Sequence, residues 1–252
     1  MSAYRRVLHD RHRIAKGTMS PLPYEELAYA NTPLGEISLR KRYDRLTKRW
    51  VHEVRLGDEY LMSSQFNASE LALARLGLAE AAGEDLRVVV AGLGLGFTAH
   101  EALKDPRTTS LTVVELVGAV IDWHRRELVP DTSGLAADPR CDLVEADFFA
   151  MMRAGQCPAV DVLLVDIDHS PDALLAEGHG DFYNASGLGS AAAALSDQGV
   201  FALWSDDDPD DRVLVHLRTA FARARAEVVA FDNPITRGTS SCTVYVASRP
   251  LR

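Results

Sequence analysis

Runs that are apolar at every position, such as Val88-Val89-Val90-Ala91 and Val162-Leu163-Leu164-Val165, recur along this chain with helix-patterned stretches between them. A strand with one wet face alternates apolar and polar residues. A continuous run therefore predicts burial on both faces, which a sheet achieves when helices cover both of its sides. Strands are expected at 87–91, 110–115, 141–145, 161–166, 199–204, 226–231 and 242–247, with helices at 98–104, 116–128, 148–154, 187–196 and 209–224 between most of them. That order predicts a doubly wound α/β domain with a parallel sheet. The last two strands are separated only by residues 232–241, too few for a crossover helix, so they should close the sheet's edge as an antiparallel hairpin.

Ahead of this domain the pattern changes. Residues 27–30, 35–42, 50–56 and 59–63 read as short strands divided by Asn31-Thr32-Pro33 and Gly57-Asp58, a small antiparallel unit. A leucine-rich helix over 68–82 leads from it into the main domain. The expected division is a basic, flexible tail at 1–20, a β domain at 21–66 and the α/β domain at 67–252.

Charge narrows the function. Residues 1–55 hold 12 Lys and Arg against 6 Asp and Glu, whereas the rest holds 15 against 30. An acidic body argues against a nucleic-acid groove, which needs clustered cations, and suits a small cationic substrate. No apolar run is long enough to span a bilayer, so no membrane partner is expected. The three cysteines lie far apart, which predicts reduced thiols in a cytoplasmic protein and no metal site.

The chemistry gathers at strand ends. Gly92-Leu93-Gly94-Leu95-Gly96 forms the first strand-to-helix junction, where glycines allow a sharp turn and close approach of a ligand to the backbone. Glu115 ends the next strand, 19 residues beyond Gly96, where a carboxylate can accept both ribose hydroxyls. G-x-G-x-G differs from the dinucleotide spacing G-x-G-x-x-G and points to an S-adenosylmethionine-type ligand; NAD, FAD or a purely structural turn are the alternatives. Asp147, at the end of the third strand, can accept from an adenine amino group while Phe148 packs the ring; it can also cap the following helix. The fourth strand ends in Asp166-Ile167-Asp168-His169-Ser170-Pro171, and Asp166, Asp168 and His169 are the candidate catalytic groups, able to bind an ammonium and take its proton. In the alternative, Asp168 or Ser170 caps a helix beginning at Pro171. Asp206 to Asp211 could wall a polyamine site, or open a helix with Asp208 as its cap and Pro209 in the first position. Trp204, just before them at a strand end, is a candidate pocket residue, as is Gln65 ahead of the first helix. His100, His124 and His216 read as ordinary helix residues.

The order of these motifs resembles the spermidine synthase (polyamine aminopropyltransferase) family of the class I methyltransferase superfamily. The resemblance runs from about Leu27 to Ala247. It implies a Rossmann-like domain behind a small N-terminal β domain, a homodimer, and a donor that is S-adenosylmethionine or its decarboxylated form. The family's G-G-G-D-G-G loop matches Gly92 to Phe97, its ribose acid Glu115, its adenine-side acid Asp147, and the start of its V-D-S-x-D-P loop Val165-Asp166. Asp166 is thereby the implied amine-activating carboxylate, Glu70 matches the Glu of a Y-H-E helix entry, and Phe182-Tyr183 match an aromatic pair; Glu70 and Tyr183 join the expected substrate-binding residues. The chain departs from the pattern at Leu95, where the family's loop acid holds the donor's amine. It departs again at His169, where a second Asp belongs, and at Ala68-Ser69 in place of Tyr-His. Three functions follow: transfer of an aminopropyl or related alkyl group to an amine, a methyltransferase on the same fold, or a non-catalytic nucleoside-binding scaffold.

Overall fold

The computed structural model describes residues 24–252 apart from 168, 173 and 176. The basic segment 1–20 and Asp168 therefore lie outside the described residues. Four strands, β1 (Tyr24–Thr32), β2 (Gly35–Asp44), β3 (Arg49–Leu56) and β4 (Glu59–Ser63), pair in sequence order as an antiparallel sheet. Helix α1 (Ala68–Glu80) then leads into a second sheet. This contains β5 (Leu86–Ala91), β6 (Thr108–Glu115), β7 (Cys141–Glu145), β8 (Val160–Val165), β9 (Leu195–Ser205), β10 (Phe221–Asn233) and β11 (Gly238–Pro250). Their spatial order is β10-β11-β9-β8-β5-β6-β7. The five strands from β9 to β7 are parallel, and β11 runs antiparallel between β9 and β10, forming the expected hairpin.

Helices α2 (Phe97–Ala102), α3 (Gly118–Arg125), α4 (Phe148–Arg153), α5 (Ala185–Ala194) and α6 (Asp211–Ala220) fill the crossovers. Burial explains the unbroken apolar runs. Val88, Val90, Val162 and Leu164 pack with α1, α3 and the front sheet's Ile37, Leu39 and Val54. Val89, Ala91, Leu163 and Val165 turn the other way, toward Phe148, Phe149, Phe182, Leu188 and Leu217. Alternate residues of one strand thus feed two separate cores.

Two local expectations are corrected. Helix α6 is capped by Asp210, whose Oδ1 accepts from the Arg212 N–H at 2.8 Å, not by Asp208. Pro209 accordingly lies outside the helix. No helix begins at Pro171: the chain turns there, residues 177–183 form a 3-10 helix, and Asn184 caps α5. Ser170 caps nothing, and its buried hydroxyl has no partner among the described residues.

Candidate functional site

The carboxyl ends of β5, β6, β7 and β8 meet at one crevice, the position open α/β sheets use for ligands. The turn after β5 can form only with glycine. Gly92 has φ +93°, and a Cβ there would lie 2.1 Å from the Asp166 carbonyl oxygen. Gly94 (φ +48°) sits so close under Met62 of β4 that a Cβ would come within 2.6 Å of its sulfur. The front sheet thus closes directly over the loop.

Glu115 is strapped to this loop. Its Oε2 accepts from the Leu93 N–H and its Oε1 from the Val117 N–H, both at 2.9 Å. Burial raises its pKa although these backbone donors pull the other way. Asp147 lines the same crevice and also accepts from the Ala150 N–H at 2.9 Å, so helix capping and a place at the ligand site coexist in one side chain. Gly92, Gly94, Glu115, Asp147, Phe148 and Asp166 share one cleft of about 1040 Å³, measured out to its open mouth.

A second pocket of about 670 Å³, measured the same way, adjoins it and shares Asp166, Ile167, Met62 and Gly94 as a common wall. It holds Glu70, His169 and Trp204. Thr98 donates to Asp166 Oδ2 at 2.6 Å, and its hydroxyl lies 3.4 Å from the backbone carbonyl oxygen of Glu70. Ser69 Oγ donates to Glu70 Oε2 at 2.6 Å. Burial, reinforced by the negative charge of Asp166, pushes the Glu70 pKa up to about 8. Burial likewise raises Asp166, to about 6, against the opposing Thr98 hydrogen bond. Two acids so placed hold about one proton between them near neutral pH.

The remaining expected residues fall elsewhere. The Gln65 side-chain amide donates to Asp44 Oδ2 at 2.7 Å in the front sheet, and Gln65 does not line either pocket. Tyr183 is buried against Phe149 and Phe182, with its carbonyl facing His216 Nδ1 at 3.1 Å; the 3-10 turn directs its ring into the core. The acid run Asp206-Asp207-Asp208 borders a separate basin that shares no lining residue with the other two pockets. Burial pushes the Cys141 and Cys242 thiols up to about 12, which leaves them poor nucleophiles. Among the described residues no three His, Cys, Asp or Glu side chains gather in a way that could hold a metal ion.

The sequence did not signal Thr98, His124 or Thr132. His124 is buried, which lowers its pKa and keeps it neutral, and its Nε2–H donates to the Gly94 carbonyl at 2.9 Å. Thr132 Oγ1 donates to the Leu95 carbonyl at 2.8 Å. Beside it, Asp131 pairs with His52 of the front sheet at 2.8 Å. A Thr two residues after the last loop glycine was the one available hint, because the start of that helix must face the strand ends.

A family model described as the spermine/spermidine synthase domain matches residues 71–230. Among curated proteins, putrescine N-methyltransferases 3 and 2 of Nicotiana tabacum are each 34% identical over 80 residues, 32% of this chain. The aligned stretch spans about a fifth of those relatives' length, 21% and 22%. Among solved structures, a spermidine synthase in complex with the transition-state analogue AdoDATO superposes with a TM-score of 0.68 at 19% identity, covering 89% of this chain and 73% of that one. The spermidine synthase of Thermotoga maritima gives 0.67 at 17% identity, with 89% and 72% covered. Human methyltransferase-like protein 13 in complex with SAH gives 0.51 at 19% identity, with 71% and 78% covered. At these identities the structural likeness speaks to the fold.

Proposed function

The chain belongs to the spermine/spermidine synthase family, and we propose that it transfers an aminopropyl or related alkyl group from an S-adenosylmethionine-type donor to an amine. The observation that carries this reading is the shared wall at Asp166: a cleft with Glu115 and Asp147 on one side, a pocket with Glu70 beside Asp166 on the other. A sulfonium seated in the first presents its carbon to a nitrogen held in the second. Nitrogen–carbon bond formation then accompanies carbon–sulfur cleavage, and the thioether nucleoside leaves. Holding both reactants at near-attack distance supplies much of the rate.

An ammonium must lose a proton before it can attack. From an alkylammonium of pKa ~10.4 to an ordinary carboxylate that transfer is uphill by roughly 8 kcal/mol. To the ionised form of Glu70, with its pKa of about 8, it is uphill by roughly 3 kcal/mol. Asp166, Glu70 and His169 surround the proton's departure, with Asp166 nearest the nucleoside cleft, and Trp204 flanks the amine.

No Lys or Arg appears among the described residues lining either pocket, which favours a donor without a carboxylate, the decarboxylated form. The second reading, methyl transfer from the intact donor, is supported by Leu95, which offers no acid to a donor amine, and by the methyltransferases among the relatives. A homodimer through the front sheet belongs to the proposal, supported by Tyr24, Tyr29, Leu46 and Trp50, which are 48–64% exposed there. A cytoplasmic setting is supported by three free thiols. No helix among the described residues is long and apolar enough to cross a membrane.

Thermal shift with S-adenosylmethionine, its decarboxylated form and methylthioadenosine tests the reading. Ligand at 100 times its Kd adds about 2.7 kcal/mol of stability. Preference for the decarboxylated donor is expected, and Asp166→Asn should keep nucleoside binding while turnover falls by a factor of ~100 or more. Indifference to all three compounds would leave only a scaffold.

A further inference from the structure

Asp166 follows the last residue of β8, yet the group that grips its carboxylate belongs to another element. Thr98 lies in the first turn of α2, two residues beyond Gly96, and its Oγ1 donates to Asp166 Oδ2 at 2.6 Å. The main chain of Asp166 is held separately, its N–H donating to the Ala91 carbonyl oxygen of β5 at 2.8 Å. What that leaves loose is the carboxylate's own rotation, a soft torsion with no sharp preferred angle. A hydrogen bond is therefore needed to set its plane, and Thr98, 3% exposed, supplies one that water hardly contests. Thr98 itself lines neither pocket.

We infer that Thr98 is a positioning residue for the transfer step, fixing the Asp166 carboxylate so that its second oxygen faces the attacking amine. The inference rests on the transferase reading and adds a residue to it. One hydroxyl proton engages one carboxylate oxygen, and the direction of the other follows from the planarity of the group. A proton leaving the amine needs an acceptor within about 2.6–3.2 Å, and a displacement of about 1 Å can cost a factor of ~100 in rate. The placement of Thr98 also joins two tasks. Gly94 borders both clefts, and four residues later the same segment aims the carboxylate, so the loop beneath the donor and the group that meets the acceptor are set by one piece of chain. Glu70 is served differently, by the hydroxyl of its own neighbour Ser69 on α1.

Thr98→Val keeps the shape and removes the hydroxyl, whereas Thr98→Ser keeps the hydroxyl; Thr98→Ala replaces the valine variant if that one does not fold. Turnover of the full chain is read as methylthioadenosine release from decarboxylated S-adenosylmethionine with putrescine as the probe amine. The kcat should fall roughly tenfold or more in Thr98→Val and stay within about threefold of wild type in Thr98→Ser. The Kd for methylthioadenosine should be unchanged in both. Wild-type kcat in Thr98→Val, equal losses in the two variants, or a nucleoside Kd that weakens as much as kcat falls would each overturn the inference. A second reading needs no turnover: carbon-13 NMR titration of labelled aspartate, with the Asp166 signal identified by its loss in Asp166→Asn. The Thr98 bond favours the ionised carboxylate, so the Asp166 midpoint should rise in Thr98→Val and return in Thr98→Ser. Glu70 and His169 in the same pocket, and Glu115, Asp147 and His179 in the adjoining one, are common to all three proteins, so the comparison isolates the hydroxyl. An unmoved midpoint overturns the inference. A wild-type chain that neither binds the nucleoside nor turns over would refute the transferase reading, and the role of Thr98 in transfer would fall with it; a midpoint that still moves would then report only its hold on Asp166.

Discussion

Glu70→Gln should make the protein more stable in mildly alkaline solution while removing its activity. The folded-state pKa of Glu70 is about 8, above its ordinary 4.5, because the pocket buries the carboxyl beside Asp166. A group whose pKa is raised by folding favours the folded state when protonated. Its contribution is intact below about pH 4.5 and is lost as the pH climbs through the interval up to about 8. At ~1.4 kcal/mol per pH unit the full penalty is bounded by about 5 kcal/mol. Asp166 titrates with Glu70, and the pocket mouth admits water, so a net effect of about 2–3 kcal/mol is expected. Glutamine keeps the shape and the contact to Ser69 but carries no charge at any pH. Urea midpoints measured at pH 5, 6, 7 and 8 should therefore coincide for the two proteins in acid and diverge above, with the variant more stable by roughly 2–3 kcal/mol at pH 8. Parallel pH curves, or a variant weaker at pH 8, would refute the claim that an ionised carboxylate is held here against its preference.

Two further substitutions probe the loop. Gly92→Ala forces a side chain into φ +93° and against the Asp166 carbonyl oxygen, and should cost about 2–4 kcal/mol in thermal melts with at least a tenfold loss in nucleoside affinity. Wild-type binding in that variant would mean that the tight junction is not needed. Leu95→Asp adds a carboxylate to a pocket wall that already holds Glu70 and Asp166. Competition titration should show the ratio of decarboxylated to intact donor affinity rising at least tenfold, and an unchanged ratio would show that Leu95 does not meet the donor's tail.

The main sheet was legible because its strands obey a simple constraint. Val88 to Ala91 and Val162 to Val165 must be dry on both faces, which a parallel sheet covered by helices on both sides provides. Gly92, Glu115, Asp147 and Asp166 were legible for a related reason: the end of a parallel strand is a fixed place in space, so a polar residue there can be located without knowing the rest. Pairing partners were harder to see. Strands β9, β10 and β11 run to Leu195–Ser205, Phe221–Asn233 and Gly238–Pro250, well past their apolar cores, because ladder hydrogen bonds to a neighbour extend strands through polar sequence. Tyr183 and Gln65 were misplaced because order along the chain does not say which way an irregular segment turns its side chains. Thr98, His124 and Thr132 act through long-range hydrogen bonds to Asp166, Gly94 and Leu95, and no local pattern marks such contacts.

Asp131 and Thr132 are neighbours in sequence, yet one grips His52 of the front sheet and the other the Leu95 carbonyl. A tug on either layer is thus delivered to the other across a single peptide unit. Anyone exchanging the front sheet for that of a relative would have to transplant this dipeptide's partners as well, or the graft would slacken the loop it was meant to leave alone.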